Sequence, residues 1–182
     1  ELGGYEVTAI DKTKAEYSAI KTGVNGIDTV KLADEMFKDN RNLVAFPQIP
    51  DTVTIIGAYA FFDCLSLPSI TIPDSVTSLM TEAFAQCASV TSIKIPAAVT
   101  IIDSLVFKGC SALTSILVDS DNTAFCSVDG VLYGVSESDL KACPCAHPAT
   151  SLVVPDDVRF ISLGAFYSCH NLTSITIPKD VT

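Results

Sequence analysis

Apolar and polar positions alternate along this chain in a pattern that repeats three times in succession. Residues 49–71 read IPDTVTIIGAYAFFDCLSLPSIT, residues 72–94 read IPDSVTSLMTEAFAQCASVTSIK, and residues 95–117 read IPAAVTIIDSLVFKGCSALTSIL. Each unit is 23 residues long. A fixed period of this length is typical of a solenoid, in which short units stack on one another and share a hydrophobic core.

Each unit predicts the same local structure. Residues 69–72 read SITI, an alternation that places both isoleucines on one face of a strand. Pro73 has no backbone N–H and ends that strand, because it cannot take part in the middle of a ladder. Ala83 and Phe84 then supply a small and a large core residue on an expected short helical turn. The predicted fold is an α/β solenoid with a parallel sheet on one face and short helical turns on the other.

The same pattern divides the chain into a cap and an array. Residues 1–25 do not fit the repeat and predict an N-terminal cap of two short strands around a polar turn at 11–14. The array occupies 26–182 and starts with a worn copy at 26–48. The chain begins at Glu1 and its last six residues open another repeat, so we expect a processed or truncated piece of a longer protein.

The period breaks once, at an expanded unit over residues 118–153. Asp129 and Gly130 stand there between two apolar runs, which predicts a β-hairpin. We expect this insertion to replace the outer helical turn and to leave the sheet continuous. A regular copy follows at 154–176.

Composition narrows the classes of partner. The chain is 48% hydrophobic and carries 21 acidic against 11 basic residues, for a formal net charge of −10. This charge disfavours binding to nucleic acids and anionic membranes. No apolar run approaches the roughly 20 residues of a membrane-spanning helix, so no membrane insertion is expected.

The repeat IPxxVxxIxxxAFxxCxxLxxI resembles the BspA-like leucine-rich repeats of bacterial and protist surface proteins, over about residues 26–182. The hairpin sequence FCSVDGVLY also resembles an interruption found in that family. The resemblance implies a right-handed solenoid that is extracellular or attached to the cell surface. It further implies an adhesion role, with extracellular matrix proteins, plasma proteins or other cells as partners. We therefore predict a non-catalytic module that binds an extracellular protein or glycan, including host matrix.

Two surfaces are candidates for binding. Strand alternation sends one column of mostly small residues outward onto the sheet face. Its members are Ser69, Thr71, Ser92, Lys94, Ser115, Leu117, Ser151, Val153, Ser174 and Thr176. The hairpin adds Asp129, Gly130 and Tyr133. The alternatives are that this face is simply an exposed sheet, or that the chain is a purely structural spacer in a larger surface protein.

Four of the seven cysteines recur in one position of the repeat: Cys64, Cys87, Cys110 and Cys169. A recurring position is best explained by buried free thiols that pack as small hydrophobic residues. Cys126, Cys143 and Cys145 lie in the expanded unit. Three alternatives remain open for them: free thiols, a disulfide from Cys126 to one of the other two, or a metal site that includes His147.

Catalysis finds little support in the residues. His147 and His170 are the only histidines, and the serines of the sheet column follow from the repeat itself. The acidic group Asp119, Asp121, Asn122 and Asp129 suggests calcium only weakly, since Gly130 stands where an EF-hand loop would place a glutamate. We therefore predict no enzyme, no cofactor and no metal, with a hydrolase or metal-dependent enzyme as the remote alternative.

Overall fold

The computed structural model describes residues 5–7, 30–44, 49–135 and 138–182. Within these ranges the chain forms thirteen short strands joined by turns. They are β1 (Tyr5–Val7), β2 (Val30–Leu32), β3 (Val53–Ile56), β4 (Ser78–Leu79), β5 (Ser92–Ile95), β6 (Ile101–Ile102), β7 (Ser115–Val118), β8 (Phe125–Val128), β9 (Val131–Gly134), β10 (Asp139–Ala142), β11 (Ser151–Val153), β12 (Phe160–Ile161) and β13 (Ser174–Thr176).

Strands from successive repeat units pair in parallel, as the 23-residue period predicts. The order β1-β2-β3-β4-β6 forms one parallel sheet, in which each strand comes from the next unit along the chain. A second column is formed by two parallel pairs, β5 with β7 and β11 with β13. The pairing joins residues one unit apart, as in Ser92 with Ser115. The predicted strand at 69–72 is not formed, since these residues lie outside the strands.

The predicted helical turns are wrong: the described residues contain no helix, and the molecule is a β-solenoid of stacked strands rather than an α/β fold. In a helix each N–H bonds the carbonyl four residues earlier. Here the N–H groups of Tyr59, Phe61 and Asp63 instead donate to carbonyls of the next unit, at 3.0, 2.8 and 2.9 Å. Tyr59 and Asp63 also have positive φ, which a right-handed helix excludes.

This turn is repeated with the same geometry in each regular unit. Positive φ recurs in pairs four residues apart, and glycine occupies some of the positions because it adopts this conformation without a steric penalty. The pairs are Glu35 and Asp39, Tyr59 and Asp63, Glu82 and Gln86, Leu105 and Gly109, and Gly164 and Ser168. The turns therefore form a third stacked column, held together by backbone hydrogen bonds between units.

The expanded unit divides the array, so the expectation of a continuous sheet is also wrong. The four strands β12-β10-β9-β8 form a separate sheet, and the β5–β7 pair is not joined to the β11–β13 pair. The predicted hairpin is confirmed, with β8 antiparallel to β9 around Asp129 and Gly130. Both turn residues have positive φ, as a two-residue hairpin turn of this type requires.

Two hydrophobic clusters lie on either side of this division. The larger runs from Leu32 to Leu132 and contains a stack of four phenylalanine rings, Phe37, Phe61, Phe84 and Phe107, with centroids 5.0, 5.4 and 6.2 Å apart. The smaller contains Tyr133, Leu140 and Val154. Strand β9 is buried on both faces and contributes side chains to both clusters.

The structure describes only part of the predicted N-terminal cap, residues 5–7. Strand β1 lies within the first strand of the expected cap and pairs in parallel with β2. The second expected strand and the turn at 11–14 lie outside the described residues. The described part of the chain contains no helix long and apolar enough to cross a bilayer.

Candidate functional site

The predicted binding column lies on the surface. In β5 the side chains alternate, with Ser92 and Lys94 exposed and the two isoleucines buried. Ser69, Thr71, Ser151, Ser174 and Thr176 are exposed as well. Leu117 and Val153 are large apolar side chains that are 50% and 72% exposed. We call the exposed column of β5, β7, β11 and β13 the strand face.

The inserted hairpin borders this face directly beside β7. The N–H of Ile116 donates to the carbonyl of Gly130 at 2.8 Å, and the Ser127 hydroxyl donates to the carbonyl of Ile116 at 2.6 Å. A Cβ at Gly130 would lie 3.0 Å from the Cβ of Ser115. Ser115 is therefore half-buried under the hairpin turn, and it is the member of the predicted column that the structure partly removes from the surface.

The hairpin turn itself is held from beneath by a buried histidine. The N–H of Ala149 donates to Nδ1 of His147 at 3.3 Å, so Nδ1 is an acceptor and Nε2 carries the proton. Nε2 then donates to the carbonyl of Asp129 at 2.9 Å. Both ring nitrogens are thus used, and the metal alternative that included His147 does not fit this orientation.

Tyr133 is not part of the exposed surface. It is 5% exposed, packs in the smaller hydrophobic cluster, and burial raises its pKa to about 12. The prediction that Tyr133 offers surface relief is wrong, because the hairpin lies flat against β10 and turns this ring inward. Asp129 is exposed and Gly130 is half-buried at the turn.

One ion pair marks the strand face. The Lys94 ammonium lies 2.6 Å from the carboxylate of Asp119. The hydrogen bond to Asp119 raises the pKa of Lys94, and the same bond lowers the pKa of Asp119. The carboxylate also accepts from the N–H of Asp121 at 3.1 Å. The Asp119 carboxylate is therefore already engaged by Lys94 and by the N–H of Asp121.

The predicted acidic group is not assembled into a calcium site. Asn122 is buried and uses its amide for four backbone contacts: Nδ2 donates to the carbonyls of Pro96 and Val99, and Oδ1 accepts from the N–H groups of Ala124 and Phe125. Across the residues that the structure describes, no three histidine, cysteine or acidic side chains are arranged to hold a metal ion.

The repeating cysteines form the expected column. Cys64, Cys87 and Cys110 are buried, and each thiol donates to the carbonyl of the phenylalanine one unit earlier, at 3.2, 3.2 and 3.1 Å. Burial raises the pKa of Cys64 and of Cys110 to about 12. The prediction of buried free thiols is confirmed for these three, whereas Cys169 is half-buried.

Cys143 has a place that its sequence context did not reveal. Its N–H donates to the carbonyl of Ala165 at 2.7 Å, which is the bond that Phe84 makes to Val106 in a regular unit. The thiol of Cys169 in turn lies 3.5 Å from the carbonyl oxygen of Cys143, and the equivalent distance from Cys87 to Phe61 is 3.2 Å. Cys143 thus occupies the phenylalanine position of the expanded unit.

A small residue in this position leaves space beside the last ring of the stack. A cavity of about 180 Å³ lies between the turn at 102–108 and the turn at 162–167, with Phe107, Leu132 and Cys143 among its lining residues. A Cβ on Gly164 would clash with the Leu105 side chain, so glycine allows the Leu105 side chain to reach the next turn. The predictions from sequence did not find this cavity.

A buried carboxylate lies beside the cavity. Asp139 is buried, pairs with Lys141 at 2.7 Å, and accepts hydrogen bonds from the Ser162 hydroxyl at 3.0 and 3.1 Å. The lysine and the hydroxyl together offset the cost of burying the charge. This arrangement stabilises the contact between β10 and the turn that follows β12.

The sequence of the chain matches the model of a known protein family. Residues 30–127 and 141–182 match the model of the BspA type leucine rich repeat region, in six copies. None of the curated protein sequences compared with the chain matches it.

Solved structures with similar folds include bacterial leucine-rich repeat proteins. A leucine-rich repeat protein from Eubacterium ventriosum ATCC 27560 has a TM-score of 0.54 and 24% identity, over 74% of this chain and 48% of that protein. The pneumococcal vaccine antigen PcpA has a TM-score of 0.69 and 20% identity, over 83% and 43%. The T. pallidum leucine-rich repeat protein has a TM-score of 0.55 and 22% identity, over 88% and 69%.

At these identities the structural matches establish the fold alone, and the chain spans about half the length of the first two proteins. The match to the family model is broader, because it covers well over half of the chain and includes every regular unit. The 23-residue period, the stacked strands and the column of buried cysteines agree with it. The chain belongs to the family of BspA-type leucine-rich repeat proteins.

Proposed function

We propose that this chain is a non-catalytic binding module that contacts an extracellular protein or glycan through its strand face. The observation that carries the proposal is the pair of exposed apolar side chains on that face, Leu117 and Val153, on the two parallel pairs that border the expanded unit. Apolar side chains grouped on one exposed face are typical of interaction sites, whereas single scattered ones are not.

The hairpin gives this face its shape. The turn at Asp129 and Gly130 rises beside β7, covers Ser115, and is fixed by the buried His147 ring. The surface next to Leu117 is therefore rigid rather than a loop that must be ordered on binding, which lowers the entropic cost of association.

Display at the cell surface is part of the same proposal. It is supported by membership of the BspA-type leucine-rich repeat family. The partners we propose are host matrix proteins or glycans, which are available to a module displayed outside the cell.

The test uses a panel of immobilised extracellular matrix proteins and a glycan array. We expect the chain to bind at least one member, and we expect the Leu117→Asp, Val153→Asp double variant to weaken that binding at least tenfold. The matched control is Leu163→Asp, since Leu163 is 73% exposed but lies on the turn column rather than the strand face.

Two outcomes contradict the proposal. Equal loss of binding in the control and in the double variant would show that the strand face is not the site. Failure of the chain to bind any member would instead favour a structural spacer.

A further inference from the structure

The second group of cysteines lies where the expanded unit meets the last regular unit. The thiol of Cys143 is 3.8 Å and the thiol of Cys169 is 3.5 Å from the same acceptor, the carbonyl oxygen of Pro144. The two thiols therefore lie next to each other at one acceptor. Cys143 is buried and Cys169 is half-buried, so solvent reaches the pair from the side of Cys169.

This arrangement differs from that of the repeating column. In that column each thiol donates to the backbone carbonyl of a residue in the preceding unit, and that residue is a phenylalanine for Cys64, Cys87 and Cys110. At Cys169 the residue at that position is Cys143. A cysteine therefore stands where the other units have a phenylalanine ring, and two thiols meet at this contact between units. Cys126, in contrast, lies exposed on β8.

We propose that Cys143 and Cys169 form a redox-active pair, which a small-molecule disulfide converts to a disulfide bond between the expanded unit and the last regular unit. The proposal is independent of the binding role of the strand face. It also replaces the disulfide alternative drawn from the sequence, in which Cys126 was one of the partners.

The reaction is a two-step exchange. The Cys169 thiolate attacks one sulfur of the small disulfide, a mixed disulfide forms, and one small thiolate leaves. Cys143 then gives up its proton to solvent, and its thiolate attacks the sulfur of Cys169, which forms the new bond and releases the second small thiolate. The two released thiolates take up the protons that the two cysteines gave to solvent. The two protein sulfurs lose two electrons, and the small disulfide gains them.

The electrostatics support this order of attack. The hydrogen bond from Cys143 lowers the pKa of Cys169, and that same bond raises the pKa of Cys143, with burial acting in the same direction. The thiolate is the nucleophile in such exchanges. Cys169 is therefore the attacking residue, and Cys143 resolves the mixed disulfide.

The test treats the reduced, folded chain with oxidised glutathione at pH 8, blocks the remaining thiols, and maps disulfides by mass spectrometry after digestion. We expect a peptide pair linked through Cys143 and Cys169, and free thiols at Cys64, Cys87 and Cys110. Oxidation should raise Tm by roughly 5–10 °C, because the bond closes a loop between two units.

Two variants separate the roles of the sulfurs. Cys143→Ser should leave Cys169 trapped as a mixed disulfide with glutathione, and Cys169→Ser should leave Cys143 unmodified. Cys145→Ser is the matched control, since Cys145 lies in the same segment and its thiol meets that of Cys169 at a different acceptor, the carbonyl of Tyr167, at 3.3 and 3.9 Å. That control should still form the Cys143–Cys169 bond.

The outcomes decide between pairings. Linkage of Cys169 to Cys145, or recovery of Cys143 and Cys169 as unlinked thiols in the wild-type chain, would overturn the proposal. Protection of Cys64 and Cys87 from the blocking reagent before denaturation shows in each variant that the stack is folded.

Discussion

The regular units and the expanded unit are joined to their neighbours by different sets of contacts. Between regular units the contacts are mainly backbone hydrogen bonds, since the turn N–H groups of one unit donate directly to carbonyls of the next. The expanded unit keeps such a bond from Cys143 to Ala165 and adds hydrogen bonds from particular side chains: Asn122 bonds the preceding unit, and His147 fixes the hairpin turn. A strict period therefore lets the backbone join the units, whereas an interruption requires specific polar residues as well.

The largest effect is expected in the phenylalanine stack. Phe84 has a ring on either side, at 5.4 and 6.2 Å, whereas Phe107 faces the cavity beside the expanded unit. Phe84→Ala should cost about 3–5 kcal/mol of unfolding free energy, and Phe107→Ala should cost less, because its site is already incompletely packed. Urea unfolding of both variants measures the difference; equal costs would show that the expanded unit packs as well as a regular one.

Asn122 tests the side-chain contacts of the expanded unit. Asn122→Ala should cost about 2–3 kcal/mol, because two buried carbonyls and two N–H groups lose their partners. Asn122→Asp keeps the acceptor but places a carboxylate against the carbonyls of Pro96 and Val99, so it should be no better. Recovery of wild-type stability by the aspartate variant would mean that the donor side of the amide is unimportant.

His147 and His170 form a natural pair of test and control. His147→Ala should cost about 1–2 kcal/mol, since it leaves the carbonyl of Asp129 and the N–H of Ala149 without partners. It should also speed hydrogen exchange in β8 and β9. His170→Ala, at an exposed position, should change neither quantity. An unchanged exchange rate in the His147 variant would show that the hairpin holds its position without the ring.

The smallest effect concerns pH. Burial raises the pKa of Cys110 from 9.0 to about 12, so the unfolded chain releases this proton at a lower pH than the folded chain. The stabilisation is complete below pH 9 and is lost as the pH rises from 9 towards 12. Cys110→Ala should therefore show a shallower fall in unfolding free energy between pH 8 and 9.5, by under about 1 kcal/mol. The exposed Cys126→Ala serves as control, and an identical slope in the two variants would contradict the assignment.

Much of the fold could be predicted from the sequence because it depends on the period. The stacked strands, the hairpin at Asp129 and Gly130, and the buried position of Cys64, Cys87 and Cys110 all follow from repeated spacing. The helical turns were predicted incorrectly, because an apolar pair such as Ala83 and Phe84 fits a helix and a stacked turn equally well. The hydrogen bonds that distinguish the two run between units, so the sequence of one unit does not reveal them.

The positions of residues in the expanded unit were harder to predict, because the 23-residue period is interrupted there. In a regular unit five positions separate Leu79 from Phe84, but in the expanded unit three separate Leu140 from Cys143. The expanded unit is two residues shorter between these positions, so the equivalence of Cys143 to a phenylalanine cannot be read from spacing. Alternation in β9 also gave no means to tell that both faces of the strand are buried, which is why Tyr133 was assigned to the surface.

Strand β9 places Leu132 in the larger hydrophobic cluster and Val131 and Tyr133 in the smaller one. In a linear array, unfolding spreads only through contacts between neighbouring units. This strand of four residues is therefore one of the elements that couple the two segments: weakening it should lower the cooperativity with which the segments before and after it unfold.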